Sequence, residues 1–178
     1  MAGTGAGTTN RERFERDIDQ VVELIGAQGI EGFAETYAVG PTRQPFKRKD
    51  PHGWAVFRRQ LAEHSPIGQS LTMLGVMRRR PSIYALEDAL HALDVPTLLI
   101  IGDEDEPCVD PAVFLKRHIP SAGLLVMPQS GHTVNLEEPA LFNAALLEFF
   151  RLAEAGLWAR RTTVTTSMLP ATEGTDGH

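Results

Sequence analysis

Residues 95–101, Val-Pro-Thr-Leu-Leu-Ile-Ile, make an unbroken apolar run that ends at Gly102. A run this short, rich in branched side chains and free of polar alternation, fits a strand buried on both faces, the kind a parallel sheet contains. Parallel strands need a crossover, and one follows. Asp110-Pro111 reads as an N-cap with proline at the first helical position, opening a helix to about His118. Gly123-Leu-Leu-Val-Met127 is a second apolar run, and Gln129-Ser-Gly-His-Thr133 is a turn. A long helix carrying Phe142, Leu146, Phe149 and Phe150 then runs from about Glu137 to Leu157. Strand, helix, strand, helix at this spacing predicts an α/β unit over 95–158, with two parallel strands joined by a right-handed crossover.

The stretch 10–94 reads as helical and irregular. Thr9-Asn-Arg-Glu12 fits a capping box, and Phe14, Ile18, Val21, Val22 and Ile25 fall on one helical face. Gly26 and Gly29 are expected to close that helix, with a short one around Phe33, Ala34 and Tyr37 behind it. The proline and glycine content of 40–53 predicts a loop. Trp54, Phe57 and Leu61 mark another helix, and one more runs from about Ile67 to Met77, stopping before Pro81. These short apolar faces need a partner surface. Residues 159–178 are rich in Thr, Gly and Ser without periodicity and read as a disordered tail.

In open α/β sheets reactive groups lie just past the C-terminal ends of the strands. Gly102-Asp-Glu-Asp-Glu-Pro-Cys108 follows the first strand and Ser130-Gly-His132 follows the second. Adjacent strands lie about 5 Å apart, so loops leaving the same edge bring an Asp and a His together. Asp103 is the rival of Asp105 in the same turn, while Glu104 and Glu106 read as solvated.

Val95-Pro-Thr-Leu-Leu-Ile-Ile-Gly-Asp-Glu-Asp105 resembles the acid-bearing strand and turn of the α/β-hydrolase family. Ser130-Gly-His132, followed by Asn135-Leu-Glu-Glu-Pro139 and Phe142, resembles that family's histidine turn and last helix. The resemblance implies that 10–94 is the helical cap, or lid, and that 1–9 is the loop following a strand that is missing here. It implies that Asp105 and His132 are the acid and the base of a catalytic triad, in the chain order the family uses. The implied reaction is hydrolysis of an ester-like or related bond in a small molecule, with Ser the expected nucleophile and Asp the one some relatives use. Trp54, Phe57, Met73 and Met77 are candidate pocket contacts, with cap core as the alternative.

No nucleophile is recognisable. Gly68-Gln-Ser70-Leu-Thr72 matches half of a Gly-x-Ser-x-Gly elbow, lacks the second Gly and follows no strand. Cys108 has no adjacent base by sequence and reads as a small buried side chain. A two-stranded sheet leaves edges open to pairing or aggregation. The expectation is therefore a fragment of a longer gene product, its activity alone left open. The alternative is a non-catalytic binding or interaction module completed by another chain.

With 42% hydrophobic residues the chain has material for a core, and its net charge of −6 argues against a nucleic-acid partner. No apolar run approaches the roughly 20 residues of a membrane span. The lone Cys108 and the absence of a signal-like start fit the cytoplasm. His52, His64, His91 and His118 show no ligand spacing, so no metal is expected. No cofactor is expected either: Gly3, Gly5 and Gly7 follow no strand, as a phosphate loop would. Lys47-Arg-Lys49 and Arg78-Arg-Arg80 read as solvated surface, or as a means of steering an anionic substrate. The oligomeric state is not legible.

Overall fold

The structure, a computed structural model, describes residues 10–161. The expectations for 1–9 and for 162–178 lie outside the described residues. Asn10 caps α1 (Arg11–Ala38) by accepting a hydrogen bond from the Arg13 amide at 2.9 Å. Gly29 has φ 73° and ψ −173°, a conformation L side chains rarely adopt, and it breaks α1 in two. Gly26, also expected to close the helix, stays inside it. Ile18 and Ile25 from the expected apolar face are buried.

The expected loop 40–53 is mostly helical instead. A 3-10 turn at Pro41–Arg43 leads into α2 (Gln44–Lys49) and then α3 (Pro51–Ala62). Pro41, Pro45 and Pro51 all sit in first turns, where a missing N–H costs nothing. The same prolines that signal a loop thus start helices here. α4 (Pro66–Thr72) continues as a π-helical turn at Met73–Met77, and α5 (Glu87–His91) follows.

β1 (Thr97–Gly102), α6 (Glu106–His118) and β2 (Ala122–Met127) form the expected parallel pair and crossover, in register from Thr97 opposite Ala122 to Gly102 opposite Met127. α6 begins ahead of the expected Asp110 cap because Pro107 already fits its first turn, and Pro111 lies one turn inside. The expected long helix is α8 (Pro139–Glu154), opened by Pro139, and a short additional helix, α7 (Val134–Glu137), precedes it. Gly156, at φ 67°, turns the chain after α8.

Two small cores hold the chain. α1 packs on α3 through Ile25, Ile30, Phe33, Ala34 and Leu61. Leu115, Ile119 and Ala122 gather Ile83, Leu90, Leu93 and Leu99 around the strands. The expectation that β1 is buried on both faces is not met. Thr97 to Ile101 are half-exposed or less without being buried, because among the described residues β2 is the one ladder partner of β1. Leu147 on α8 is 68% exposed.

The tail boundary also moves. Trp158 Nε1 donates to the Ser121 carbonyl at 2.6 Å, and Arg161 donates to the carbonyls of Ile119 and Ala122. These bonds fix 158–161 to the crossover, so the ordered unit runs past the expected boundary at 159. No helix among the described residues is long and apolar enough to cross a membrane.

Candidate active site

The two strand-end turns are locked together before either functional side chain is considered. Beyond β1, the Asp103 amide donates to Met127 O and the Glu104 amide to Ser130 O. A Cβ on Gly102 would lie 2.0 Å from Ser130 O, so the first strand ends on a glycine because the second turn passes directly over it. The Ser130 amide in turn donates to Asp103 Oδ1 at 3.2 Å. Asp103 is thereby committed to the turn, and Asp105 is left to meet the histidine.

Asp105 stands at the N-cap of α6 but its carboxylate caps no helix amide. Its Oδ2 lies 2.7 Å from His132 Nδ1, and the two side chains are 5% and 17% exposed. Burial pushes the Asp105 carboxyl up. Hydrogen bonds from His132 and Cys108, with the positive charges of His132 and Arg43, outweigh that and hold it below its ordinary value. An ionised carboxylate only accepts, so His132 Nδ1 donates to it, and in the neutral imidazole Nε2 is the nitrogen left with a lone pair.

His132 is braced from three sides. Its amide donates to Thr42 O at 3.0 Å, a contact from the first, helical part of the chain. Glu137, 7% exposed, accepts from the Gly131 amide, the Thr133 amide and Thr133 Oγ1. Lys49 of α2 donates to Ser130 Oγ at 2.9 Å and pairs with Glu138, while Arg48 reaches Glu104 at 2.7 Å. The Lys47–Lys49 run is therefore largely cross-linking, with Lys47 lying over the Trp54 ring. Arg78 likewise pairs with Glu15 and Asp19. Arg43, Lys49 and Glu137 are the residues that sequence reasoning missed. The reach-back of Glu137 over an N-terminal turn is the one local signal that could have marked it.

Cys108 Sγ is 3.8 Å from His132 Nδ1. Burial, together with the hydrogen bond to Asp105 and its negative charge, pushes the thiol up to about 12. It remains a thiol at neutral pH, and it faces the nitrogen that Asp105 already holds. Ser70 lies inside α4 and does not line the cavity beside Asp105 and His132. Trp54, Phe57, Met73 and Met77 do not line it either. Phe57 packs on the α1–α3 core, and Trp54 Nε1 donates to Ala38 O.

That cavity is about 120 Å³ and mostly apolar. Leu98, Leu99, Ile100, Ile101 and Gly102 all line it. Successive strand residues point to opposite faces, so a space touched by five in a row runs along the free edge of β1. It is smaller than the roughly 300 Å³ of a typical small-molecule pocket.

No family model matches the chain. Over 141 residues it is 30% identical to a protein of Bacillus subtilis (strain 168) that carries the name of a 2-succinyl-6-hydroxy-2,4-cyclohexadiene-1-carboxylate synthase. The match covers 78% of this chain and 50% of that protein, so the chain spans about half the length of the curated relative it matches. The fold is like that of MenH from S. aureus, with TM-score 0.75 and 22% identity over 83% of this chain and 56% of the other. It is also similar to a thermophilic esterase from Thermogutta terrifontis, solved with malate bound, with TM-score 0.67 and 26% identity over 83% and 53% of the two chains. Est816, an N-acyl homoserine lactone degrading enzyme, aligns with TM-score 0.52 and 25% identity over 73% of this chain and 51% of its own.

Proposed function

The chain belongs to the α/β-hydrolase fold family, and from that premise we propose that Asp105 and His132 are the acid and the general base of a nucleophile–acid–histidine triad. The reaction is hydrolysis of an ester-like bond in a small molecule. The single observation that carries this reading is the 2.7 Å contact between Asp105 Oδ2 and His132 Nδ1.

The chemistry follows from that contact. Asp105 fixes the imidazole with its proton on Nδ1, which leaves Nε2 free to take the proton of an attacking hydroxyl. As the hydroxyl oxygen bonds to the acyl carbon, the imidazolium forms and the Asp105 carboxylate stabilises it. His132 then returns the proton to the departing alkoxide, and a water repeats the sequence to release the acid. Neither Ser130 nor Ser70 fits the attacking hydroxyl, and the nucleophile of the triad is not recognisable in this chain. Ser130 is fully buried and tied to Lys49 and Pro128, and Ser70 is part of a helix. The named relatives include an esterase and a lactone-degrading enzyme, which supports acyl chemistry as the class.

The test is a panel of short-chain aryl esters and lactones offered to the purified native protein. Turnover that falls about 10³-fold or more in His132→Ala is the expected result. Equal rates in the wild type and the variant overturn the reading.

A second reading is favoured by the cavity along the free edge of β1. An unpaired apolar edge of this kind accepts a further strand. On that reading the chain is a non-catalytic module whose sheet another polypeptide completes. Ester turnover dependent on His132 separates the two, because a pure interaction module shows none.

A further inference from the structure

Outside the candidate active site, Glu87, His91 and His118 converge across two helices. Glu87 and His91 are one turn apart on α5, and His118 closes α6. Glu87 Oε1 lies 3.3 Å from His118 Nε2 and 3.8 Å from His91 Nε2, and the three donor atoms all fall within 4.8 Å of one another.

The orientation of His118 is fixed. Its Nδ1 lies 2.7 Å from Phe114 O, and a carbonyl only accepts, so Nδ1 carries the proton. Its ring lies 3.9 Å from that of Phe114, which is itself held edge-on by Tyr84. In the neutral imidazole the Nε2 lone pair is thereby aimed at a carboxylate oxygen. Lone pair against carboxylate is repulsive unless a cation stands between them. A proton satisfies one such pair, whereas a metal ion satisfies both imidazoles and the carboxylate together. A backbone carbonyl holding the far nitrogen is also the usual support of a metal-bound histidine.

We propose that Glu87, His91 and His118 form a binding site for a borderline divalent transition cation, Zn²⁺ by its N₂O donor set, with water completing the tetrahedron. Metal–ligand bonds of about 2.0 Å in a tetrahedron put ligand atoms about 3.3 Å apart. The Glu87–His118 separation already matches that, and His91, with its side chain 54% exposed, has room to close in. The ion pins α5, which feeds β1, to α6, which leaves it. Spacing along the chain hides this set because β1 intervenes between the histidines. The other convergent set, Asp105, Cys108 and His132, is a poorer donor because its buried thiol holds its proton.

The test is calorimetric titration of the full chain with ZnCl₂ at neutral pH, with Co²⁺ as a spectroscopic probe. One saturable equivalent of Zn²⁺, tetrahedral Co²⁺ bands and a rise in Tm with Zn²⁺ are expected. His91→Ala removes an edge contact of the His118 ring but keeps its bond to Phe114 O and its contact with the Phe114 ring, and it lowers the affinity roughly tenfold or more and removes the Tm rise. His118→Gln does the same. No saturable binding to the wild type overturns the proposal and leaves an imidazolium–carboxylate pair. Binding that survives His91→Ala and is lost in Cys108→Ser also overturns it, by placing the metal beside Asp105.

Discussion

His132 Nδ1 lies 2.7 Å from Asp105 Oδ2 across 27 positions of sequence. Asp105 stands where it would cap α6 and does not, while Asp103, the other carboxylate of the turn, holds the Ser130 amide. The division of labour between two acids in one turn is what leaves a buried carboxylate for the imidazole.

The carboxyl of Asp105 is held below its ordinary value of 3.8, which links the pair to stability. A depressed carboxyl contributes stability that is present above its unfolded value and is lost as pH falls through the folded one. Denaturant unfolding of the wild type and Asp105→Asn at pH 7 and at pH 3 checks this. The stability gap is expected to be largest at pH 7 and to shrink as pH drops below about 4. A constant gap contradicts it.

Cys108, pushed up to about 12, is expected to resist alkylation at pH 8 in the folded chain and to react at the ordinary rate once denatured. Iodoacetamide labelling followed by mass spectrometry reads both. Fast labelling of the native chain would reopen the thiol as a nucleophile.

Glu137 gathers three donors of the histidine turn onto one buried carboxylate. Glu137→Ala leaves those donors unpaired, and stability is expected to drop by about 1–3 kcal/mol in equilibrium unfolding. Glu137→Gln keeps an acceptor oxygen and is expected to recover part of the loss.

The strand at 97–102 and the histidine turn were legible because apolar run, glycine and turn residues all point the same way, and each is a local signal. Asp105 over Asp103 was legible only through the family pattern, since both fit the turn chemistry equally. The helices over 44–62 were obscured by Pro41, Pro45 and Pro51, which mark a loop and a helix start with the same residue. Arg43 and Lys49 were not legible at all. The partners of Lys49 lie far along the chain, and a buried arginine stacked 4.8 Å over Tyr37 looks in sequence like any surface cation. The Glu87–His91–His118 set was hidden for the same reason, because tertiary folding across β1 brings it together.

The most direct test of the Asp105–His132 pair is a kinetic cycle on the native protein, comparing kcat/KM for its best aryl ester in the wild type, Asp105→Asn, His132→Ala and the double variant. Residues that act as one catalytic unit are grossly non-additive. The predicted result is a loss of about 10³-fold or more in each single variant, with the double variant no worse than His132→Ala. Wild-type rates in the single variants, or losses that multiply in the double, would contradict a shared acid–base role.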